Sequence, residues 1–322
     1  MEPAVLESVC RLIEESGYSG AVLSWQGGEP LLLGASGLET YLANSSRLLK
    51  KAGIRCWHSI HTNGALLNRE LTTVFLEFGV AVGVSVDGYY EVHSEYRSTP
   101  GGSVSFNSVL EAIEQLIEAG VYVEVTSTLA SPQSIDVERL YGFFRSLRVA
   151  RINVEPCLVH SPDSVCIWGS LWLAPYVDLM ISLYEKWSSD SEARRPPIAY
   201  FSELTGTLRG GRPESCHLSG ECSNHITIEP TGDVYPCDHF AGLRRFRLGN
   251  VTDTPEIQLG RMQRASASMT AILEARRGCP ECRWLEICNG GCPYQRLSEA
   301  FVVNYPAQCQ RSRLFAGLAS RL

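Results

Sequence analysis

Four cysteines fall within the fourteen residues 279–292, "CPECRWLEICNGGC", separated by two, five and three residues. Upstream stand Cys216, Cys222 and Cys237, spaced by five and fourteen residues, and downstream stands Cys309. The ordered set is Cys216, Cys222, Cys237, Cys279, Cys282, Cys288, Cys292 and Cys309, eight of the twelve cysteines in the chain. Eight is two sets of four. Thiolates in fours hold zinc or iron–sulfur clusters, because soft deprotonated sulfur matches those metals. Cys279 and Cys282 can converge through a tight turn. Cys288 and Cys292, bridged by "NGG", are too cramped for an undistorted helix, and their sulfurs can point at different sites. Spacing alone does not choose zinc over iron. The remaining cysteines read as ordinary: Cys10 on a helix face, Cys56 in a strand, Cys157 and Cys166 near a strand end.

A second group of chemical signals lies in the front half. "WQGGEP" (25–30), "HTNG" (61–64) and "SVDG" (85–88) each follow an apolar run, and "HSEYR" (93–97) comes soon after. Each falls at the C-terminal end of an expected strand, where parallel α/β folds place their ligands.

The elements that must position these motifs alternate. The spacing predicts a helix in "PAVLESVCRLIEESG" closed by Gly17, then strand "AVLSW" (21–25), helix 38–51 and strand "IRCWHSI". Helix 69–78, strand "VAVGVSV", helix 106–119, strand "VYVEVTS", helix 134–147, strand "RINVEPC" and helix 171–188 follow. Apolar strands alternating with amphipathic helices make βα units around a parallel sheet. Five strands result, and the chain opens on a helix where a βα repeat opens on a strand. Residues 191–215 are rich in Ser, Pro, Gly and Arg and read as a connecting segment. Beyond 216, "HITIEPTGDVYPCDHF" reads as a hairpin turning at "TGD".

Composition sets outer limits. The 322 residues are 44% hydrophobic and 20% charged, with a net charge of −7. That charge argues against nucleic acid or an anionic membrane as partner. No run approaches the ~20 apolar residues of a membrane span, and the acidic N-terminus does not read as an export signal, so a cytoplasmic location with reduced thiols is expected.

Taken together, the cysteine string, "GDVYPCD" within it, and the strand-end motifs resemble a radical S-adenosylmethionine enzyme with a twin-cluster SPASM extension, nearest to the anaerobic sulfatase-maturating enzymes. The implied fold is α/β: a partial (β/α)6 radical SAM barrel over 1–190 lacking its first strand, the connector 191–215, and a SPASM domain over 216–322 with a β-hairpin. The resemblance assigns one auxiliary 4Fe-4S cluster to Cys216, Cys222, Cys237 and Cys292, and a second to Cys279, Cys282, Cys288 and Cys309. It places Gly27, Gly28 and Glu29 at the methionyl amino group of S-adenosylmethionine, and Gln26 near cosubstrate or peptide. It also places Ser85 and Arg97 at the ribose and carboxylate region, with the backbone around Leu158 beside the adenine. Asp238, directly after ligand Cys237, is the implied general base. His239 and His93 carry no assigned role beyond polar lining.

The implied reaction oxidises a Cys or Ser of a sulfatase peptide to formylglycine. A 5′-deoxyadenosyl radical takes hydrogen from Cβ, Asp238 takes the thiol or hydroxyl proton, and the surplus electron leaves through the auxiliary clusters. A flavodoxin or ferredoxin is the implied electron donor. The family also carries Cys-x3-Cys-x2-Cys ahead of its first helix for a third cluster. These 322 residues contain no such triplet. The expectation is therefore a truncated form, inactive in cosubstrate cleavage as given, whose full-length parent holds the third cluster. Two other functions remain open at this stage: a maturase forming thioether or carbon–carbon links in a ribosomal peptide, and a non-catalytic, metal-stabilised binding protein.

Overall fold

The structure, a computed structural model, describes residues 1–97, 105–157, 170–220, 222, 225–274, 279, 281–294 and 310–320. It divides into two compact units. One comprises residues 18–157 and 186–200, the other residues 1–17, 158–185 and 201–322.

The chain opens with α1 (Pro3–Glu15), whose stripe of Val5, Leu6, Val9, Cys10 and Leu12 is buried. Val5, Val9 and Leu12 pack on Val234 and Val251 of the same, cysteine-rich unit. The first helix thus belongs with the cysteines, although in sequence it stands among the βα repeats.

The other unit is a five-stranded parallel sheet in sequence order: β1 (Gly20–Trp25), β2 (Arg55–Thr62), β3 (Ala81–Ser85), β4 (Val123–Leu129) and β5 (Arg151–Pro156). Parallel neighbours need crossovers. These contain α2 (Gly34–Lys51), α3 (Arg69–Phe78), α4 (Tyr90–Tyr96) with α5 (Phe106–Glu118), and α6 (Val137–Ser146). Along β4, Val123, Val125, Ser127 and Leu129 are buried while the residues between are half-buried. That alternation marks a sheet with one closely packed face. On the other face, Val22 and Trp57 lie in register and are 64% and 50% exposed, so this side of β1 and β2 is open.

Helix ends set the strand starts. The Asn68 side chain accepts the Leu71 N–H at 2.9 Å and begins α3, and Gly79 stops it at φ 60°. Every strand therefore delivers its C-terminal end, and the motif that follows, to the same edge of the sheet.

The cysteine-rich unit continues with α7 (Ser170–Ser189), which runs across the division, α8 (Ala199–Leu208) and α9 (Cys216–Ser219). A small antiparallel sheet follows, β6 (Thr227–Ile228), β7 (Asp233–Tyr235) and β8 (Gly249–Asn250), in that order. The expected hairpin forms there, closed by Glu229 N–H to Asp233 O at 2.9 Å and Gly232 N–H to Glu229 O at 2.8 Å. Then come α10 (Pro255–Glu274), α11 (Leu285–Cys288) and α12 (Gln310–Ala319). No helix among the described residues is long and apolar enough to cross a membrane.

Candidate functional site

The strand-end motifs of the sheet unit form a connected network. After β1 the chain passes through exposed Gln26, then Gly27 and Gly28 at φ 86° and 56°. A side chain at either glycine would be strained in this left-handed region, although the space beside each is open. The turn aims Glu29 at the end of β2. One Glu29 oxygen accepts Thr62 Oγ1 at 2.7 Å and Leu31 N–H at 3.1 Å, and the other accepts Asn63 N–H at 2.9 Å. Backbone and carboxylate are thereby fixed with lone pairs to spare for an ammonium group.

At the end of β3, Ser85 is half-buried and Asp87 is buried. Arg97 makes a two-pronged bond to Asp87, Nε to Oδ2 at 2.5 Å and Nη2 to Oδ1 at 3.0 Å. Asp87 also accepts Thr128 N–H at 3.1 Å and, through its carbonyl, Ser127 Oγ at 2.8 Å. Arg97 is 29% exposed, so part of its guanidinium still faces solvent. Buried His93 contacts Ser105 Oγ at 3.0 Å, and burial lowers its pKa. The Cys157 thiol lies in reach of the same pair, its pKa raised by burial and by Asp87 and opposed by Arg97. Sequence patterning gives Asp87 no role, although it stands within "SVDG"; its partner is ten residues away on the next loop. Beneath β1, Trp25 Nε1 donates to His58 Nδ1 at 3.3 Å, so Nε2 carries the proton toward Ser46 Oγ at 2.8 Å. Burial pushes His58 down to about 4, which keeps this bridge neutral. Leu158 lies outside the described residues.

In the cysteine-rich unit Cys216, Cys222, Cys237 and Cys292 share one neighbourhood. Cys222, Cys237 and Cys292 pack with Tyr235, Phe240, Leu243 and Tyr294. Burial, then the negative charges of Cys292, Cys222 and Asp238, push the Cys216 thiol up to about 12. Burial, Asp238 and Cys292 push Cys237 up to about 12, against N–H groups of His239 and Phe240 that favour its thiolate. Four soft donors drawn together, Cys292 buried and the other three half-buried, with backbone N–H groups aimed at one sulfur, fit a thiolate-held metal cluster. Among the described residues no three His, Cys, Asp or Glu side chains already close around a single ion. The next residue, Asp238, is exposed, and His239 stacks on Tyr294 at 4.9 Å between ring centres.

The second set begins with a turn, Cys282 N–H to Cys279 O at 3.0 Å, followed by α11 ending at Cys288. Cys279 and Cys288 are buried. Asn289, Gly290 and Gly291 then take φ of 42°, 76° and 81°, three left-handed residues in a row, and Cys292 departs in a new direction. This is the break that the cramped "NGG" spacing anticipates. Cys309 lies outside the described residues. α12 begins immediately after it, and Phe315 of that helix packs edge-on against Trp284 at 6.1 Å.

Residues 1–143 match the profile of the Radical SAM superfamily, and residues 216–293 match the SPASM iron-sulfur cluster-binding domain. A cysteine-type anaerobic sulfatase-maturating enzyme of Clostridium novyi is 27% identical, over 91% of this chain and 78% of the relative. A serine-type enzyme of Bacteroides thetaiotaomicron is 26% identical, over 86% and 70%. Among solved structures, histidine-tagged anSMEcpe with bound AdoMet superposes with a TM-score of 0.82 at 26% identity, covering 99% of this chain and 88% of that one. Native anSMEcpe with bound AdoMet and Kp18Cys peptide gives 0.81 at 26% identity, over 99% and 89%. With its parallel half-barrel and its cysteine-rich extension, the chain is a radical SAM oxidoreductase carrying a SPASM domain, related to the anaerobic sulfatase-maturating enzymes.

Proposed function

We propose that this chain binds S-adenosylmethionine and two auxiliary 4Fe-4S clusters and serves the oxidation of a Cys or Ser side chain in a sulfatase peptide to formylglycine. The observation that carries the reading is the gathering of Cys216, Cys222, Cys237 and Cys292 beside Asp238. The names of its relatives support the substrate class.

Each side chain that becomes an aldehyde must lose a hydrogen from Cβ, a proton from sulfur or oxygen, and one further electron. A cysteine then exchanges sulfur for oxygen from water and releases hydrogen sulfide. When bound, and once cleaved by one electron from a reductant outside residues 1–322, S-adenosylmethionine would supply the hydrogen-atom acceptor, and the auxiliary clusters would supply the electron acceptor. The chain's own residues do the rest. Gly27, Gly28 and Glu29 receive the methionyl ammonium, with Thr62 and Asn63 holding the carboxylate in place. Arg97, steadied by Asp87, receives the carboxylate, Ser85 meets the ribose, and the backbone at Leu158 borders the adenine. Gln26 lies toward cosubstrate or peptide. Asp238 takes the substrate's thiol or hydroxyl proton; its exposure leaves it free to do so. Cys279, Cys282, Cys288 and Cys309 hold the second cluster. Residues 1–322 contain no Cys-x3-Cys-x2-Cys, so they do not fit a third cluster of the family's kind, and no step is assigned to one.

The test is anaerobic purification with iron, labile sulfide and zinc analysis, then equilibrium binding of a Cys-containing sulfatase peptide. Two cubane clusters require about eight irons and eight sulfides per chain. Stoichiometric zinc without sulfide refutes the clusters. A peptide that binds no better than its scrambled sequence refutes the substrate class.

A further inference from the structure

Just beyond the Cys237 segment, the turn Arg244–Phe246 and the residue after it place three arginines in four positions: Arg244, Arg245 and Arg247. Arg244 and Arg245 are exposed. Arg247 pairs with Asp233, Nη2 to Oδ1 at 2.6 Å. Among the described residues Arg244 and Arg245 have no ion-pair partner. Two uncompensated cations on a chain of net charge −7 form a local field opposite to that of the whole.

The turn is held rigidly. Phe246 N–H donates to Leu243 O at 2.8 Å, and Arg247 N–H to Arg244 O at 3.2 Å. The Arg245 guanidinium lies over the Phe246 ring at 4.8 Å. Phe246 meets Phe240 at 4.5 Å, and Phe240 meets Tyr294 edge-on at 5.3 Å. That aromatic layer is the one that packs Cys222, Cys237 and Cys292. A cationic surface thus adjoins, through Phe246 and Phe240, the aromatic cluster that packs the thiols.

We propose that Arg244 and Arg245 are the docking surface for an acidic one-electron carrier protein. The inference rests on the reading of the adjoining cysteines as an iron–sulfur site. Complementary charge sets the encounter rate and orientation, and the aromatic cluster behind Arg245 brings the carrier up beside the thiols. The exchange is of one electron, taken up by the carrier's oxidised iron–sulfur or flavin centre, with no bond made or broken.

The probe is an acidic 2Fe-2S ferredoxin, and the readout is its equilibrium affinity for the anaerobically reconstituted chain across a salt series. Arg244→Glu and Arg245→Glu should each weaken binding roughly tenfold, and the double variant about a hundredfold with a flatter salt dependence. Arg209→Glu, the same charge change at another exposed position, should stay within about twofold. Iron content should be unchanged in all variants. Reversals no different from Arg209→Glu overturn the proposal, as does wild-type protein that ignores ferredoxin, or that binds only duplex DNA through these arginines. Metal analysis reports on the cluster reading separately. Zinc in place of iron, with ferredoxin affinity still dependent on Arg244 and Arg245, would refute the clusters and the electron exchange while confirming the arginines as the binding surface.

Discussion

Replacing Gly290 or Gly291 by alanine tests whether the turn after α11 is what sends Cys288 and Cys292 to different sets. Both glycines sit in the left-handed region, at φ 76° and 81°, and Asn289 before them at 42°. A side chain there costs roughly 1–2 kcal/mol per residue, because Cβ crowds the following carbonyl. The double variant therefore costs about 2–4 kcal/mol. At about 1.4 kcal/mol per tenfold, the native turn loses on the order of thirty- to a thousandfold in population. Asn289→Gly relieves little strain, since asparagine tolerates this region, but removes the Asn289 Nδ2 bond to Leu218 O at 2.8 Å and should cost about 1 kcal/mol. The control is Gly120→Ala. Gly120 closes α5 at φ 85° with open space beside it, so its local cost is similar, but no cysteine depends on it. Denaturant unfolding and iron per chain are measured together. Gly290→Ala and Gly291→Ala should lose both stability and iron, and Gly120→Ala stability alone. If the two turn variants keep full iron loading, or if Gly120→Ala loses as much iron as they do, the turn does not partition the sulfurs.

Cys237→Ser should lower iron from about eight to about four per chain, because one tetrad fails and the other stands. Asp87→Ala should cost about 2–4 kcal/mol, since it strands the Thr128 N–H and leaves Arg97 to water, whereas Asp87→Asn keeps the acceptor for Thr128 and should cost about half as much; unfolding midpoints of the two variants decide it. His58 is held neutral down to about 4, so the unfolded chain takes up its proton first. Stability contributed by neutral His58 is complete above about pH 6.5 and falls as the pH drops toward 4. Relative to His58→Gln, the wild type should lose on the order of 2 kcal/mol between about pH 7.5 and 5. Equal loss in both proteins would show that His58 is not desolvated.

Much of the sheet was legible because local signals agree with tertiary packing. The helix read at 69–78 forms over those residues, since Asn68 caps it and Gly79 closes it. The strand read from residue 121 begins only at Val123, because the Val121 N–H bonds to Leu116 O, closing α5 together with the Gly120 N–H to Ile117 O. The helix read from 134 begins at Val137. Pro132–Ser134 form a tight turn, Ile135 is extended, and the Asp136 side chain caps the helix by accepting from Glu138 and Arg139 N–H groups. Apolar periodicity runs through Ile135 and hides that break. The network around Glu29 and Arg97 was legible only as isolated motifs. Thr62 holds Glu29 from 33 residues away, and Ser46 meets His58 across a crossover; side-chain bonds between elements leave no mark in local spacing. The first helix shows the same limit. Its stripe says that it is buried, and only the fold says against what.

The cysteine site carries an argument that spacing could not. A protein gains little from gathering four thiols, one buried and three half-buried, if they are to stay thiols, since ordinary apolar side chains would fill the space at lower cost. As thiolates they repel one another, and burial with Asp238 alongside drives Cys216 and Cys237 up to about 12. A multiply charged cation centre would remove both penalties, by displacing the protons and screening the sulfurs from each other. The fold is already arranged for that outcome: His239 and Phe240 aim N–H groups at Cys237, and Phe240 and Tyr294 close the far side. If the site takes iron, loading would release protons and stabilise the fold, and a chelator should unfold the cysteine-rich unit in step with the iron it strips.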